Sequence, residues 1–403
     1  MEEKYQKYAQ LLLKKCLNIK KGQPLVLSMP MEAIELARII VYEACKMGIV
    51  DIHFDWYDGI IRHTLLSYVD TEDLKRLPLW NKEVWDEYAK KEAAFLMFTG
   101  SDPSLNSDID SKKLSELLKY QVKSRPIYKE MQKTNKLNWC IAAASVDGWA
   151  KKVFPDSSIS KKLLWDNIFE ICQIKEANPI KAWDSKIKLN KLKCEILNEL
   201  KLKKLIFTNS LGTNLEMGLP KDHIWLSAGN GTVANMPTEE VFSLPHALEV
   251  RGKVYNSKPL SHGGVIIDDF MIEFKDGKVI DFKASVGYNA LKHLIEDDEN
   301  ANMLGEVALV NYDSPISNSG IVFYDTLYDE NASCHIALGS SYPECLKDGI
   351  NKDKKELQEL GANQSDTHVD FMIGTKDLKI IGIDYKDNNI IIFENGNFNK
   401  SLL

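Results

Sequence analysis

The stretch KGQPLVLSMPMEAIELARIIVYEACKMGIVDIHFDW (residues 21–56) decides the fold class of the first half of the chain. Gly22 punctuates, and Pro24-Leu25-Val26-Leu27 reads as a short buried strand. Pro30 is expected to open the next helix, where its missing N–H costs nothing, and Gly48 to close it. Ile34, Ala37, Val41 and Ala44 mark one face of that helix, and a second strand is expected around Asp51 to Trp56. Outward from this unit the pattern repeats. A helix spans Tyr5 to Cys16 and another Asn81 to Lys91. Ala93 to Phe98 is an apolar run that suits a buried parallel strand, followed by a helix at Ser111 to Lys123 and a strand at Trp139 to Ala144. Such alternation predicts a three-layer α/β domain on a mostly parallel sheet.

Val153 to Leu202 reads as helical and rich in lysine. Lys186, Lys188, Lys191 and Lys193 are expected on a solvated helix face, since no aromatic side chains interleave them as a nucleic-acid surface would require. Beyond Lys203 the character changes to short strands: 205–208, 224–226, 252–255, 264–267, 271–274 and 278–283, with Asp276-Gly277 as a hairpin turn. After a helix at Tyr288 to Glu296 come strands at 306–310, 335–338, 368–373 and 380–384, and a closing hairpin turning at Asp387-Asn388-Asn389. The expectation is an α/β N-terminal domain over 1–190 and a β-rich α+β C-terminal domain over 191–403.

Composition supports a globular protein. The 403 residues are 44% hydrophobic and 27% charged, enough to bury a core without disulfide staples. The 51 basic and 58 acidic residues leave a net charge of −7, which argues against a nucleic-acid partner. Seven cysteines without a C-x-x-C pair argue against a thiol zinc site and for a reducing compartment. The start MEEKYQKYAQ has no apolar signal core, and no run of 18 apolar residues occurs, so a cytoplasmic protein without a membrane partner is expected.

The chemistry concentrates in the second half. In His368-Val369-Asp370-Phe371-Met372-Ile373 the side chains alternate, so His368 and Asp370 share a face about 6.6 Å apart along the backbone. They could reach one metal ion or form a partly exposed polar strand face. Glu306 opens the apolar run Val307 to Val310, and His335 opens Ile336-Ala337-Leu338. Each alone could be a strand end meeting water or a satisfied core residue. Three apolar strands opened by metal-type side chains are harder to explain separately. Glu239 and Glu240 follow Thr238, which could cap a helical turn. A Glu/His/Asp set scattered over more than a hundred residues suits a hard or borderline divalent cation in a catalytic site, with surplus carboxylates suiting two ions. Other motifs carry less. Gly229-Asn230-Gly231 reads as a turn and not a nucleotide loop, and neither G-x-S-x-G nor H-E-x-x-H occurs. Ser314, Ser317 and Ser319 belong to a rigid loop, and Asn331-Ala332-Ser333 is a glycosylation sequon on paper.

Long segments resemble one family: NMPTEEVF (235–242), KPLSHGGVIIDDF (258–270), LGEVALVNYDSPISNSG (304–320), FYDTLYDENASCHIALG (323–339) and HVDFMIG (368–374), with KGQPLVLSMPMEAIELARI (21–39) and AKKVFPD (150–156) further upstream. On these the chain resembles the dinuclear metalloaminopeptidases of the aminopeptidase T, aminopeptidase S and PepS type. The resemblance implies an α/β domain joined to a β-rich metal domain, and two divalent ions per chain (zinc, cobalt or manganese). It implies hydrolysis of the N-terminal bond of short peptides by a hydroxide held between the ions, in a homodimer with enclosed sites. Matched motif to motif, Glu240 corresponds to the bridging carboxylate, and Glu306, His335, His368 and Asp370 to the other ligands. Tyr342 corresponds to a tyrosine of the metal site, as ligand or oxyanion donor. Glu306 or Glu330 would carry the proton. The alternatives are another metal-dependent amidase or phosphoesterase, or a non-catalytic metal-stabilised peptide-binding scaffold.

Overall fold

The computed structural model describes residues 1–76, 79–228 and 232–403, and the side chains of 79–82 and of Val122 are also undescribed. The turn expected at Gly229-Asn230-Gly231 lies outside the described residues. The chain forms two compact units: Met1–Lys186 with Ala228–Thr238 and Gly263–Val265, and Ile187–Ser227 with Glu239–His262 and Ile266–Leu403.

The first unit holds a parallel sheet of β1 (Leu25–Pro30), β2 (Ile52–Tyr57), β3 (Ala94–Thr99) and β4 (Trp139–Ala143) in the order β2-β1-β3-β4. Each strand is followed by helix, which forces the crossovers of an α/β domain. Phe95, Trp85 and Tyr128 pack on one face, with the Trp85 and Tyr128 rings edge to face at 4.9 Å. Two local expectations are corrected. Pro30 ends β1, and a 3₁₀ turn, Met31–Ala33, intervenes before the helix Ile34–Lys46. The buried stripe of that helix is Leu36, Ala37, Ile40, Glu43 and Ala44, whereas Ile34 is exposed. Glu43 tolerates burial because Gln6 and Gln10 each donate to it at 2.9 Å.

The second unit is built from antiparallel strands. β5 (Leu202–Thr208), β6 (Asn214–Gly218), β7 (Val241–Ser243), β8 (Val250–Tyr255), β9 (Leu260–His262), β10 (Val265–Lys275) and β11 (Lys278–Val286) come first. β12 (Leu304–Leu309), β13 (His335–Gly339), β14 (His368–Met372), β15 (Lys379–Asp384), β16 (Asn389–Glu394) and β17 (Asn397–Phe398) complete it. A nine-stranded sheet runs β11-β10-β8-β6-β5-β15-β16-β17 with β9 beside β10, and a four-stranded sheet runs β14-β13-β12-β7. The two runs expected at 264–267 and 271–274 are one strand, β10. The run at 224–226 makes only an isolated bridge, from Leu226 to Phe242.

Both sheets feed one core. Leu205, Phe207, Met217 and Phe270 of the larger sheet pack with Val307, Leu309, Ile336, Leu338, Val369 and Phe371 of the smaller one. Those last six are the alternate positions of β12, β13 and β14, so the opposite face of the small sheet is left for other chemistry. Lys193, expected in water, is buried at 6% exposure, with its Nζ 3.2 Å from Asn190 Oδ1. Lys188 and Lys191 of the same helix are exposed as expected. Among the described residues no helix is long and apolar enough to cross a membrane.

Phe371 is fully enclosed and its ring lies 5.4 Å from that of Phe270. Phe371→Ala should cost about 3–5 kcal/mol in urea unfolding. A loss below about 1 kcal/mol would mean that this face of the small sheet is not core.

Candidate metal centre

Register places the polar residues. Across the small sheet Glu306 stands opposite Ala337, and Ala337 opposite Asp370. His335, two residues before Ala337, shares its face, and His368 stands opposite Gly339. Phe242 pairs with Ala308, so the chain entering β7 delivers Glu240 to the same side. Thr238–Glu240 is irregular and not the helical turn considered for it. The small residues Ala308, Ala337 and Gly339 leave room between the long side chains. Gly339 (φ 104°) could not be larger, since a Cβ there would lie 2.2 Å from the Thr367 carbonyl oxygen.

Two triads result: Glu240, Glu306 and His335, and Glu306, His368 and Asp370, with ligand-type atoms all within 4.8 Å of one another in each. His335 Nε2 lies 3.0 Å from Glu240 Oε2 and 3.9 Å from Glu306 Oε1. His368 Nε2 lies 3.2 Å from Glu306 Oε2 and 3.5 Å from Asp370 Oδ2. Glu306 thus turns one oxygen toward each triad, whereas Glu240 belongs to one. Both imidazoles are aimed from behind: His335 Nδ1 is 3.2 Å from the Ser333 carbonyl oxygen and His368 Nδ1 is 2.7 Å from that of Ser340. Those contacts leave Nε2 free to bind a cation.

The other two expected residues adjoin this set. Glu330 is buried on the helix Thr326–Glu330 and belongs to neither triad, yet its environment includes Asp370, Glu240 and Glu306. The Tyr342 ring stands 4.8 Å from that of His368 and 6.0 Å from that of Phe242, and is 37% exposed. The serines of the 314–319 loop serve structure: Ser314 caps a short helix, Ser317 Oγ donates to the Ala332 carbonyl and Ser319 Oγ to that of Ile316. Asn331 is wholly buried, so its sequon has no use on the folded chain. Its side chain instead touches both acidic segments, a role that only the tertiary fold reveals.

Electrostatics argue for cations. Burial pushes Glu306 up to about 7, with Asp370 adding to the rise against the pull of His368. Glu330 is driven well above the carboxylate range by burial and by Asp370 and Glu240. Burial would lower His335, but the hydrogen bond and charge of Glu240, with Asp370 and Glu330 behind, hold it at about 10. His368 is raised against its own burial by Tyr342, Asp370 and Glu306. Burial pushes Asp370 up, but His368 and His335 bring it below its ordinary value. Asp370 Oδ1 is nevertheless buried with no hydrogen-bond partner, an acceptor suited to a cation. A donor set of imidazole and carboxylate without thiolate fits a hard or borderline divalent ion.

The comparisons with known proteins agree. The family model described as thermophilic metalloprotease (M29) matches residues 1–398. The chain belongs to that family. It is a peptide hydrolase of the metalloprotease class. The sequence is 39% identical to aminopeptidase AmpS of Bacillus subtilis (strain 168), covering 98% of each chain, and 37% identical to aminopeptidase PepS of Streptococcus thermophilus over the same shares. It is 33% identical to aminopeptidase T of Thermus aquaticus, over 94% of this chain and 95% of that one. The solved structure of wild-type AmpT from Thermus thermophilus superposes with a TM-score of 0.88 at 32% identity, covering 98% of each chain. The α/β unit and the separate antiparallel region therefore belong to the architecture of that neighbour.

His335 fixes a pH dependence. Its folded value of about 10 means that the metal-free protein holds an imidazolium there at neutral pH, and an ion must displace that proton. Zinc titrated calorimetrically into chelated protein should release protons and bind more tightly as pH rises from 6 toward 9. Affinity independent of pH would contradict the assignment. The same shifts set stability without metal. Glu306 is raised from 4.5 to about 7 and His335 from 6.5 to about 10, so both favour folding at low pH and lose that contribution as pH climbs through their folded values. The chelated protein should have a lower urea midpoint at pH 9 than at pH 6, and a higher one would contradict those directions.

Proposed function

We propose that the protein is a metal-dependent aminopeptidase that removes the N-terminal residue from short peptides, using two divalent cations that share Glu306. The observation that carries this reading is the placing of one Glu306 oxygen toward His335 and the other toward His368. Glu240, Glu306 and His335 would hold one ion, and Glu306, His368 and Asp370 the other. We therefore move the bridging place from Glu240 to Glu306. Charge supports the number two: the four carboxylates of Glu240, Glu306, Glu330 and Asp370, with two neutral imidazoles, balance two divalent ions. Zinc, cobalt and manganese all suit this donor set. Such ions, when bound, polarise a scissile carbonyl and lower the pKa of water.

The chain's own groups supply the rest. With Glu306 committed to both triads, Glu330 is the carboxylate left to move a proton. Burial and the neighbouring carboxylates hold a proton on it in the absence of cations; with cations bound it would ionise, and could then take a proton from the attacking water and pass it to the leaving amine as the C–N bond breaks. At Tyr342 the His368 charge pulls the phenol down, but the total is a rise. Because the side chain is 37% exposed, we assign that rise to the Glu306, Asp370 and Glu240 carboxylates more than to burial. Tyr342 thus keeps its O–H and serves as a hydrogen-bond donor to a developing oxyanion. The carboxylates also offer acceptors to a free α-amine, which confines cleavage to the first bond. Seven free cysteines, six of them buried, support a cytoplasmic site of action. A homodimer completes the proposal, with sedimentation as its check.

Glu306→Ala should abolish binding at both positions, so that metal per chain falls from two to near zero. Glu240→Ala should lose chiefly one. Turnover of a leucyl anilide should drop at least about a hundredfold in each. Normal turnover by a folded Glu306→Ala protein would overturn the reading. Nα-acetylation of a peptide substrate should prevent its cleavage, while a phosphate ester should not be turned over. The reverse pattern would indicate a phosphoesterase.

A further inference from the structure

The Glu240 and Glu330 carboxylates reach the site from segments far apart in sequence, and one side chain touches both segments. Asn331 is wholly buried. Its Oδ1 accepts the Glu239 backbone N–H at 2.7 Å. Its Nδ2 donates to the Leu327 carbonyl at 2.9 Å and lies 3.4 Å from Glu330 Oε1. Because one end faces a donor and the other faces acceptors, the orientation of the amide is determined by its partners.

We propose that Asn331 is a positioning residue of the peptidase, setting the distance between the cation-binding Glu240 and the proton-carrying Glu330. This rests on the function proposed above. The segment 238–240 is irregular and precedes β7, so no strand ladder fixes the main chain at Glu239. A contact from Asn190 Nδ2 to the Glu240 carbonyl is longer, at 3.4 Å. Asn331 sits one residue beyond Glu330 and closes the helix Thr326–Glu330 by bonding back to Leu327. Its N–H also engages one Glu330 oxygen. No other residue type meets these demands. Aspartate keeps the acceptor for Glu239 but presents a carboxylate to Leu327 O and Glu330. Alanine removes both ends, and glutamine is one carbon too long for an enclosed site.

The two functions of the amide can be separated by variants. In Asn331→Asp the Glu239 anchor survives. Zinc titrated into the metal-free protein should bind in the wild-type number and at least as tightly, while kcat on a leucyl anilide falls about 10- to 100-fold with KM nearly unchanged. In Asn331→Ala both anchors are lost. Zinc affinity should fall about tenfold along with kcat, and the absorption spectrum of the cobalt-loaded protein should change. Circular dichroism checks that each variant is folded; should Asn331→Ala not fold, Asn331→Asp decides the matter. Wild-type kcat and wild-type zinc affinity in folded variants would overturn the proposal. So would equal losses of zinc affinity in both, which would mark a general structural role. Failure of the wild-type protein to bind zinc or cleave peptides would instead sink the proposed function, so the two failures are distinct.

Discussion

Like-charge repulsion on one face of a four-stranded sheet is the constraint around which this protein is organised. Glu240, Glu306, Glu330 and the part-buried Asp370 crowd together, with His335 and His368 beside them to offset the charge. Buried carboxylates without compensation are among the most unfavourable groups a fold can hold. Without metal, the chain answers by keeping protons: on both imidazoles and increasingly on Glu306 and Glu330. With cations, those protons can leave. The electrostatic frustration of these groups is therefore the same quantity as their affinity for divalent ions.

The scaffold bears this load by separating the two faces of the small sheet. Alternation sends Val307, Ile336, Val369 and Phe371 into a core shared with the nine-stranded sheet, and sends Glu306, His335, His368 and Asp370 the other way. A slip of one residue in any of these strands would exchange the two sets. Hydrophobic burial thus enforces the register that the polar face requires. Backbone carbonyls of Ser333 and Ser340 hold the two imidazoles, and the Asn331 amide holds the main chain at Glu239.

Much of this was legible in the sequence, for identifiable reasons. The helix–strand alternation of residues 21–144 reports a parallel sheet because crossover helices leave a strong periodic signal. The apolar strands opened by Glu306, His335 and His368 stand out because a buried carboxylate or imidazole is rare there. Less visible were features whose cause is tertiary. β6, β7 and β9 are too short or too mixed to announce themselves. Ile34 carries the right spacing but stands at the first helical position, directly after the 3₁₀ turn Met31–Ala33, and is exposed there. Lys193 looks like its exposed neighbours until the helix docks. The sharing of Glu306 between triads depends on strand register, which no linear spacing specifies. Asn331 was hidden inside a sequon.

On the reading proposed above, Glu306 lies between two cations. Anomalous diffraction from crystals of the cobalt-loaded protein tests it most directly. Two peaks per chain are expected, on either side of Glu306, each within about 2.0–2.2 Å of one of its oxygens. A single peak, or a pair that leaves Glu306 uncoordinated, would contradict it.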